Sequence, residues 1–365
     1  MTPSDRTSDG TATPSGRSRL VGRVVGSPHI WAVAAIVGLL CINLSKDSGY
    51  LSITYSSSTG AFVGNLVDIA RAVAPLLVIS TGMCLVIATG GIDLSVGSMM
   101  AVSGAVAMEY MSGSGIPESL GAAAIAILLA LLLCAVLGAV NGVLISVVGL
   151  QPFITTLVMM LAGRGLAKVI TSGQNTTAVN EHYRWIANGH VLGVPVVLLI
   201  SAGVAGLVGL IIRRSALGMM IESVGINAEA SRLAGLNRRA ILITVYVVSA
   251  FLAGIAGIFS TATVMTVDVS QTGYQFELDA ILAVVIGGTS LAGGKFSLSG
   301  AALGAVLIAT LDKTVVFLGV PASATPAFKA TVIIVLYVAQ SSRFRSWVAK
   351  LRRPGGHRAP EVAAS

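Results

Sequence analysis

Apolar residues in this chain come in long runs rather than in alternation. From Ile30 to Gln340 these runs are separated by short polar breaks. A helix needs ~20 mainly apolar residues to cross ~30 Å of hydrocarbon, so runs of this length read as membrane spans. They fall near residues 30–44, 72–89, 94–111, 119–147, 153–171, 193–212, 240–262, 280–293, 297–317 and 327–340. Within lipid only helices or a closed barrel satisfy every backbone group, and continuous runs do not fit the two-residue period of barrel strands. The pattern predicts an all-α integral membrane protein, a polytopic bundle of about ten transmembrane helices. The first run has the length of a signal-peptide core, but no small-residue cleavage site follows it, and it is read as an uncleaved first span.

Composition supports lipid as the solvent. The 365 residues are 55% hydrophobic and only 10% charged, with a mean hydropathy of +0.88, too apolar to hide in one soluble core. The net charge of +8 sharpens the topology instead of indicating nucleic acid. Basic residues collect at the two ends and in one central loop, where Arg213, Arg214, Arg232, Arg238 and Arg239 outnumber Glu222 and Glu229. Loops near 46–65, 172–192 and 263–279 carry few. The excess of Lys and Arg places the basic face in the cytoplasm, with both termini there. The expected organisation is a disordered cytoplasmic tail at 1–28, a transmembrane domain at 29–340 with a cytoplasmic loop at 213–239, and a basic cytoplasmic tail at 341–365.

Catalytic and metal chemistry find little support. Cys41, Cys84 and Cys134 all lie in apolar runs and read as small hydrophobes. His29, His182, His190 and His357 lack the paired spacing of metal ligands. Gly288 to Lys295 fails as a phosphate-binding loop, because Thr289 stands where the first glycine is needed and Phe296 follows the lysine. No cofactor is expected on this chain, and any ATP would be hydrolysed by another subunit.

Three features carry polar chemistry inside the spans. Gly90, Gly91, Asp93 and Ser95 interrupt one run and offer a carboxylate and a hydroxyl to the next helix, Asp93 as an N-cap or as part of a polar pathway. Gly287, Gly288, Thr289 and Ser290 form a similar second break, which suggests an internal repeat. Arg164 sits about eleven residues into its run between Gly163 and Gly165, hence near mid-membrane by a rise of ~1.5 Å per residue. A charge there needs a partner. Asp93, Glu109, Asp279 and Asp312 are the candidates for an intramembrane ion pair, while Lys168 can snorkel outwards. In the central loop, Asn227 suits a helix N-cap and Gly235 a helix stop, predicting a short surface helix that either anchors two spans or docks a soluble partner.

Several of these segments, in one order, resemble the permease subunits of bacterial ABC importers for ribose and related monosaccharides. They are Gly90-Gly91-Ile92-Asp93-Leu94-Ser95-Val96-Gly97, Gln151-Pro152-Phe153 with Gly163-Arg164-Gly165, Val224-Gly225-Ile226-Asn227, and Leu278-Asp279-Ala280-Ile281 through Gly287-Gly288. The wording of 151–166 and 277–296 is most similar to the galactofuranose type. The resemblance implies ATP-binding cassette subunits, a second permease of the same or a different chain, and an extracytoplasmic sugar-binding protein as partners, all at a bacterial inner membrane. It also implies that the 222–235 loop is a coupling helix, with Glu222, Gly225, Asn227, Ala230 and Gly235 at the ATPase contact. Ala230-Ser231 stands where Ala-Ala is expected. The competing expectation is a carrier of a small polar solute driven by an ion gradient, with Asp93 and Arg164 as the ion-linked pair.

Overall fold

The computed structural model describes residues 28–57, 60–321 and 323–340. The tails expected at 1–28 and 341–365 lie outside these residues, except for Pro28, which opens the first helix. Thirteen helices follow in order among the described residues. The first seven are α1 (Pro28–Lys46), α2 (Asn65–Ala88), α3 (Val96–Gly113), α4 (Leu120–Val143), α5 (Pro152–Ile170), α6 (Glu181–Asn188) and α7 (Val196–Arg214). The remainder are α8 (Leu217–Ile226), α9 (Ala228–Leu233), α10 (Arg238–Val264), α11 (Phe276–Ile286), α12 (Leu298–Phe317) and α13 (Thr325–Gln340). A π-helical turn over Leu144–Val148 extends α4 and stops at Gly149, whose φ is +84°.

Seven of these helices are long and apolar enough to cross a membrane. They divide by what surrounds them. In the most apolar window of α2, α10 and α12, 72%, 67% and 61% of residues are covered by protein, against 17–28% in α1, α4, α5 and α7. The first group forms the middle of the bundle and the second faces lipid. In α3, 13 of 18 residues are buried, so protein rather than lipid is its solvent. Its serines and Glu109 therefore cost less than they would on a lipid-facing helix, which is why a real element of the core falls below the apolarity of a span.

Close approach is set by small residues. A Cβ on Gly257 of α10 would lie 2.5 Å from the Met100 carbonyl oxygen of α3. One on Gly138 of α4 would lie 2.6 Å from the Tyr246 carbonyl oxygen of α10. Lipid offers apolar side chains no poorer a home than protein does, so such backbone contact supplies the association that burial supplies in water.

The run at 280–293 does not form one helix as expected. The helix covers only Phe276–Ile286 and stops at Gly287 and Gly288. Residues 266–275 precede it as a short strand and turns running beside α3, with Val267 against Gly104 and Gly273 against Gly97. The central loop holds two helices, α8 and α9, where one was expected. The end of the bundle opposite this loop is built from three two-stranded sheets, β1 (Thr54–Ser56) with β2 (Ala61–Val63), β3 (Thr176–Thr177) with β6 (Thr266–Val267), and β4 (His190–Val191) with β5 (Val194–Pro195). Asn180 caps α6 by accepting from the Tyr183 amide and donates to the Pro117 and Ser119 carbonyls, tying α6 to the α3–α4 turn.

Asp279 and Asp312, expected as partners for Arg164, are instead claimed by Lys329. Its Nζ lies 3.0 Å from Asp279 Oδ2 and 2.6 Å from Asp312 Oδ1, so one ammonium joins α11, α12 and α13. Removing one partner of a fully buried ion pair costs about 3–5 kcal/mol. Asp312 is partly exposed here, so Lys329→Met is expected to cost on the order of 2 kcal/mol. The measurement is thermal unfolding in mild detergent, and Lys329→Arg should stay near wild type. A second comparison tests backbone approach. Gly257→Val should prevent recovery of monodisperse protein, whereas Gly206→Val, where a Cβ meets nothing within 4 Å, should be tolerated.

Candidate functional site

The two glycine breaks predicted on separate runs meet at the basic end. The first follows α2 over Thr89–Ser95, and the second links α11 to α12 over Gly287–Ser297. The Gly294 amide donates to the Ala88 carbonyl over 2.9 Å, closing a backbone bond between the breaks. Gly90 and Gly293 have φ of +79° and +84°, a region where a side chain is strained. A Cβ on Gly293 would lie 2.9 Å from both the Gly90 nitrogen and the Gly225 carbonyl oxygen.

Gly225 comes from α8 and completes this junction. A Cβ there would sit 1.9 Å from the Ala88 carbonyl oxygen and 2.5 Å from the Gly294 nitrogen. Three backbones therefore touch at one point, and the central loop is joined to both breaks through glycines. Ile221 and Val224 of α8 bury against Leu85, Val86, Ile241 and Tyr246 and hold that contact from one side.

Behind the junction, Asp93 is fully buried. Its Oδ1 accepts from the Ser95 amide at 3.0 Å and the Ser95 hydroxyl at 2.6 Å, and its Oδ2 accepts from Ser249 of α10 at 2.9 Å. The carboxylate caps the approach to α3 rather than its first turn, since the N-cap residue is Ser95. Asn141 of α4 donates to Ser95 Oγ at 3.0 Å, and Thr156 of α5 donates to the Ile92 carbonyl at 3.1 Å. The start of α3 is thus bonded to α4, α5 and α10 by small polar groups, as buried polar atoms require.

The second break is organised in the same way. Thr289 is buried, and its Oγ1 accepts from the Ser297 amide at 3.2 Å. Ser297 in turn caps α12 by accepting from the Gly300 amide. Ser290 Oγ accepts from the Ala292 amide. Among the residues expected along a pathway, Gly91, Asp93, Ser95, Gly287 and Thr289 are packed inside protein, while Gly90, Gly288 and Ser290 are exposed. Both groups lie at the basic end, where the two breaks join.

The loop beyond the junction is largely exposed. Asn227 caps α9 by accepting from the Glu229 and Ala230 amides at 3.1 and 2.9 Å, and Gly235 ends the turn with φ of +86°. Between them only Ser231 is buried, and Leu233 is 75% exposed. Arg232 lies 2.5 Å from Glu229 and holds its carboxyl below the usual range by hydrogen bonding and charge. Glu222 is half-buried on α8.

Arg164 plays a different part from the one expected. Among the described residues it makes no ion pair with Asp93, Glu109, Asp279 or Asp312. Its Nη1 donates to the Thr272 carbonyl at 2.7 Å, and the carboxylate whose charge bears on it is Glu277. Thr272 belongs to the non-helical stretch before α11, whose carbonyls lack helical partners, so the guanidinium satisfies backbone that lipid cannot. Glu109 instead accepts a hydrogen bond from Thr176. Sequence reasoning missed Asn141, Thr156, Ser249, Gly293 and Gly294. A lone amide in the most apolar run and a third glycine doublet were the available signals.

Comparison with known proteins follows from this architecture. The family model described as "Branched-chain amino acid transport system / permease component" matches residues 65–339. The fructose import permease protein FruF of Bifidobacterium longum is 51% identical over 340 residues, covering 92% of this chain and 94% of its own. The galactofuranose transporter permease protein YtfT of Escherichia coli is 40% identical, covering 94% and 96%. The ribose import permease protein RbsC of Escherichia coli is 39% identical over 286 residues, covering 77% and 87%. No solved structure matches. A chain whose bundle is matched from α2 to α13 belongs to this family of transport-system permease components.

Proposed function

We propose that this chain forms the translocation pathway for a monosaccharide and couples it to ATP hydrolysis in separate cassette subunits. The observation that carries the reading is the three-backbone junction, in which the exposed α8–α9 loop is bolted through Gly225 to both helix breaks. A partner moving α9 would move the breaks as well. The relatives named for fructose, galactofuranose and ribose import support a sugar as the solute. Identity favours the fructose-named relative over the galactofuranose type. The family's description mentions branched-chain amino acids, but sugar-named relatives match over more than three quarters of the chain. Those relatives also favour an ATP-driven importer over a carrier driven by an ion gradient.

In this reading the basic end is cytoplasmic and the three small sheets face outward, as the positive-inside rule favours, in a bacterial inner membrane. Binding of ATP by the cassette subunits closes them, α9 moves with them, and the junction at Gly90, Gly225 and Gly293 opens as the cytoplasmic gate. An extracytoplasmic sugar-binding protein delivers the solute, and a second permease, identical or not, forms the other wall. Glu222, Ala230 and the exposed surface of α9 contact the ATPase. This chain contributes no cofactor.

Two experiments test the coupling. Leu233→Asp, on an exposed side chain with no packing role, is expected to reduce recovery of an ATP-binding subunit with the affinity-purified chain by about tenfold, since a central interface anchor contributes about 2 kcal/mol or more. Unchanged recovery would remove α9 from the interface. Gly225→Ala, whose Cβ would part the loop from the Ala88 carbonyl at the end of the bundle rather than between spanning helices, is expected to leave insertion and ATPase recovery intact while abolishing solute-stimulated ATP hydrolysis. Normal stimulation would count against the junction as the coupling point.

A further inference from the structure

The end opposite the junction holds a cavity of about 450 Å³ between α2, α6, α7, α10 and α12. Asp68 and Arg71 of α2, Asn188 of α6, Thr263 and Phe259 of α10 and Lys313 of α12 reach it. Its volume is within the range of small-molecule sites, ~300–1,000 Å³.

Fully buried charges are normally paired; these three are open to the cavity, with Asp68 exposed and Arg71 and Lys313 partly so. Among the described residues no ion pair joins Asp68 to Arg71 or Lys313, and Lys313 has neither an ion pair nor a hydrogen bond. Arg71 contacts His190 Nε2 through one terminal nitrogen, at 2.5 Å, while its buried Nε has no partner. Burial and the neighbouring guanidinium hold the His190 imidazole below its usual pKa, which keeps it neutral and able to accept from Arg71 at pH 7. The contact fixes Arg71 over the cavity. Asn188 is held by its own donations to the Ala262 and Thr263 carbonyls, both at 3.1 Å.

The lining thus presents a donor from Arg71 held by His190, a free ammonium from Lys313, an acceptor carboxylate from Asp68, the Thr263 hydroxyl, and an apolar wall that includes Phe259. A ring bearing several hydroxyls matches this set. Each hydroxyl both donates and accepts, the C–H face packs on an aromatic ring, and hydrogen bonds to charged groups are about twice as strong as neutral ones. A carboxylate on the solute would meet both cations only by bringing a second negative charge near Asp68, whereas hydroxyls serve all three groups.

We infer that this cavity is the outward-facing binding site of the permease for a neutral polyhydroxylated solute, with Asp68, Arg71 and Lys313 as the recognising side chains. The inference rests on the sugar reading above and adds the place and the chemistry of recognition.

The test is saturation-transfer NMR on the full chain in lipid nanodiscs, with D-fructose, D-ribose, D-galactose, D-gluconate and D-galacturonate as probes. At least one neutral sugar should receive saturation. Asp68→Asn and Lys313→Gln should each reduce that signal about tenfold, the loss of one charged hydrogen bond. Lys313→Arg should retain it. Variants that keep the wild-type signal, a wild type that binds no probe, or binding confined to the two acids would each overturn the assignment. Uptake by cells carrying the wild-type transporter separates the two levels. Monosaccharide import with unaffected NMR variants removes this site and leaves the function standing, whereas absence of monosaccharide uptake removes the sugar reading itself.

Discussion

The controlling constraint is that a peptide group inside lipid must find its hydrogen-bond partner in the protein. A continuous helix meets it automatically, and α1, α4, α5 and α7 do so while facing lipid. The breaks after α2 and on either side of α11 cannot. Each packs in part against protein and is supplied with specific partners: Ser95 and Ser249 for Asp93, Thr289 for the Ser297 amide, Gly294 for the Ala88 carbonyl, Arg164 for the Thr272 carbonyl. The inner helices surround these breaks because irregular backbone is tolerated only there. The division between a covered middle and a lipid-facing rim follows from the same rule.

Much of the rim was legible in the sequence, because a lipid-facing helix must be apolar along its length. The runs at 119–147, 153–171 and 193–212 agree closely with α4, α5 and α7. The interior was harder to read. Helix α3 is surrounded by protein and free to carry serines, and α11 crosses only part of the bundle because residues 266–275 complete the path without helical bonding. Apolarity measures contact with lipid, so it loses meaning where lipid is absent.

At the candidate site, local chemistry was readable and distances were not. Asn227 and Gly235 bracket a helix because capping and left-handed backbone are properties of single residues. That Gly90 and Gly293 meet could not be read from positions about two hundred residues apart in the chain. Arg164 shows the limit most clearly. A buried guanidinium demands compensation, and here the Thr272 carbonyl supplies the hydrogen bond while Glu277 supplies opposing charge; carbonyls leave no mark in a sequence. Two of the carboxylates that seemed available to it, Asp279 and Asp312, were taken by Lys329, whose place in the last helix gave no indication of its reach.

The Lys329 arrangement has a consequence for biosynthesis. Asp279 is made 50 residues before the lysine that pairs with it, so α11 and α12 are synthesised before their shared cation, with Lys313 alone beside Asp312. Lipid is a poor host for an unpaired carboxylate. The charge balance between these two helices is therefore completed only when α13 is in place.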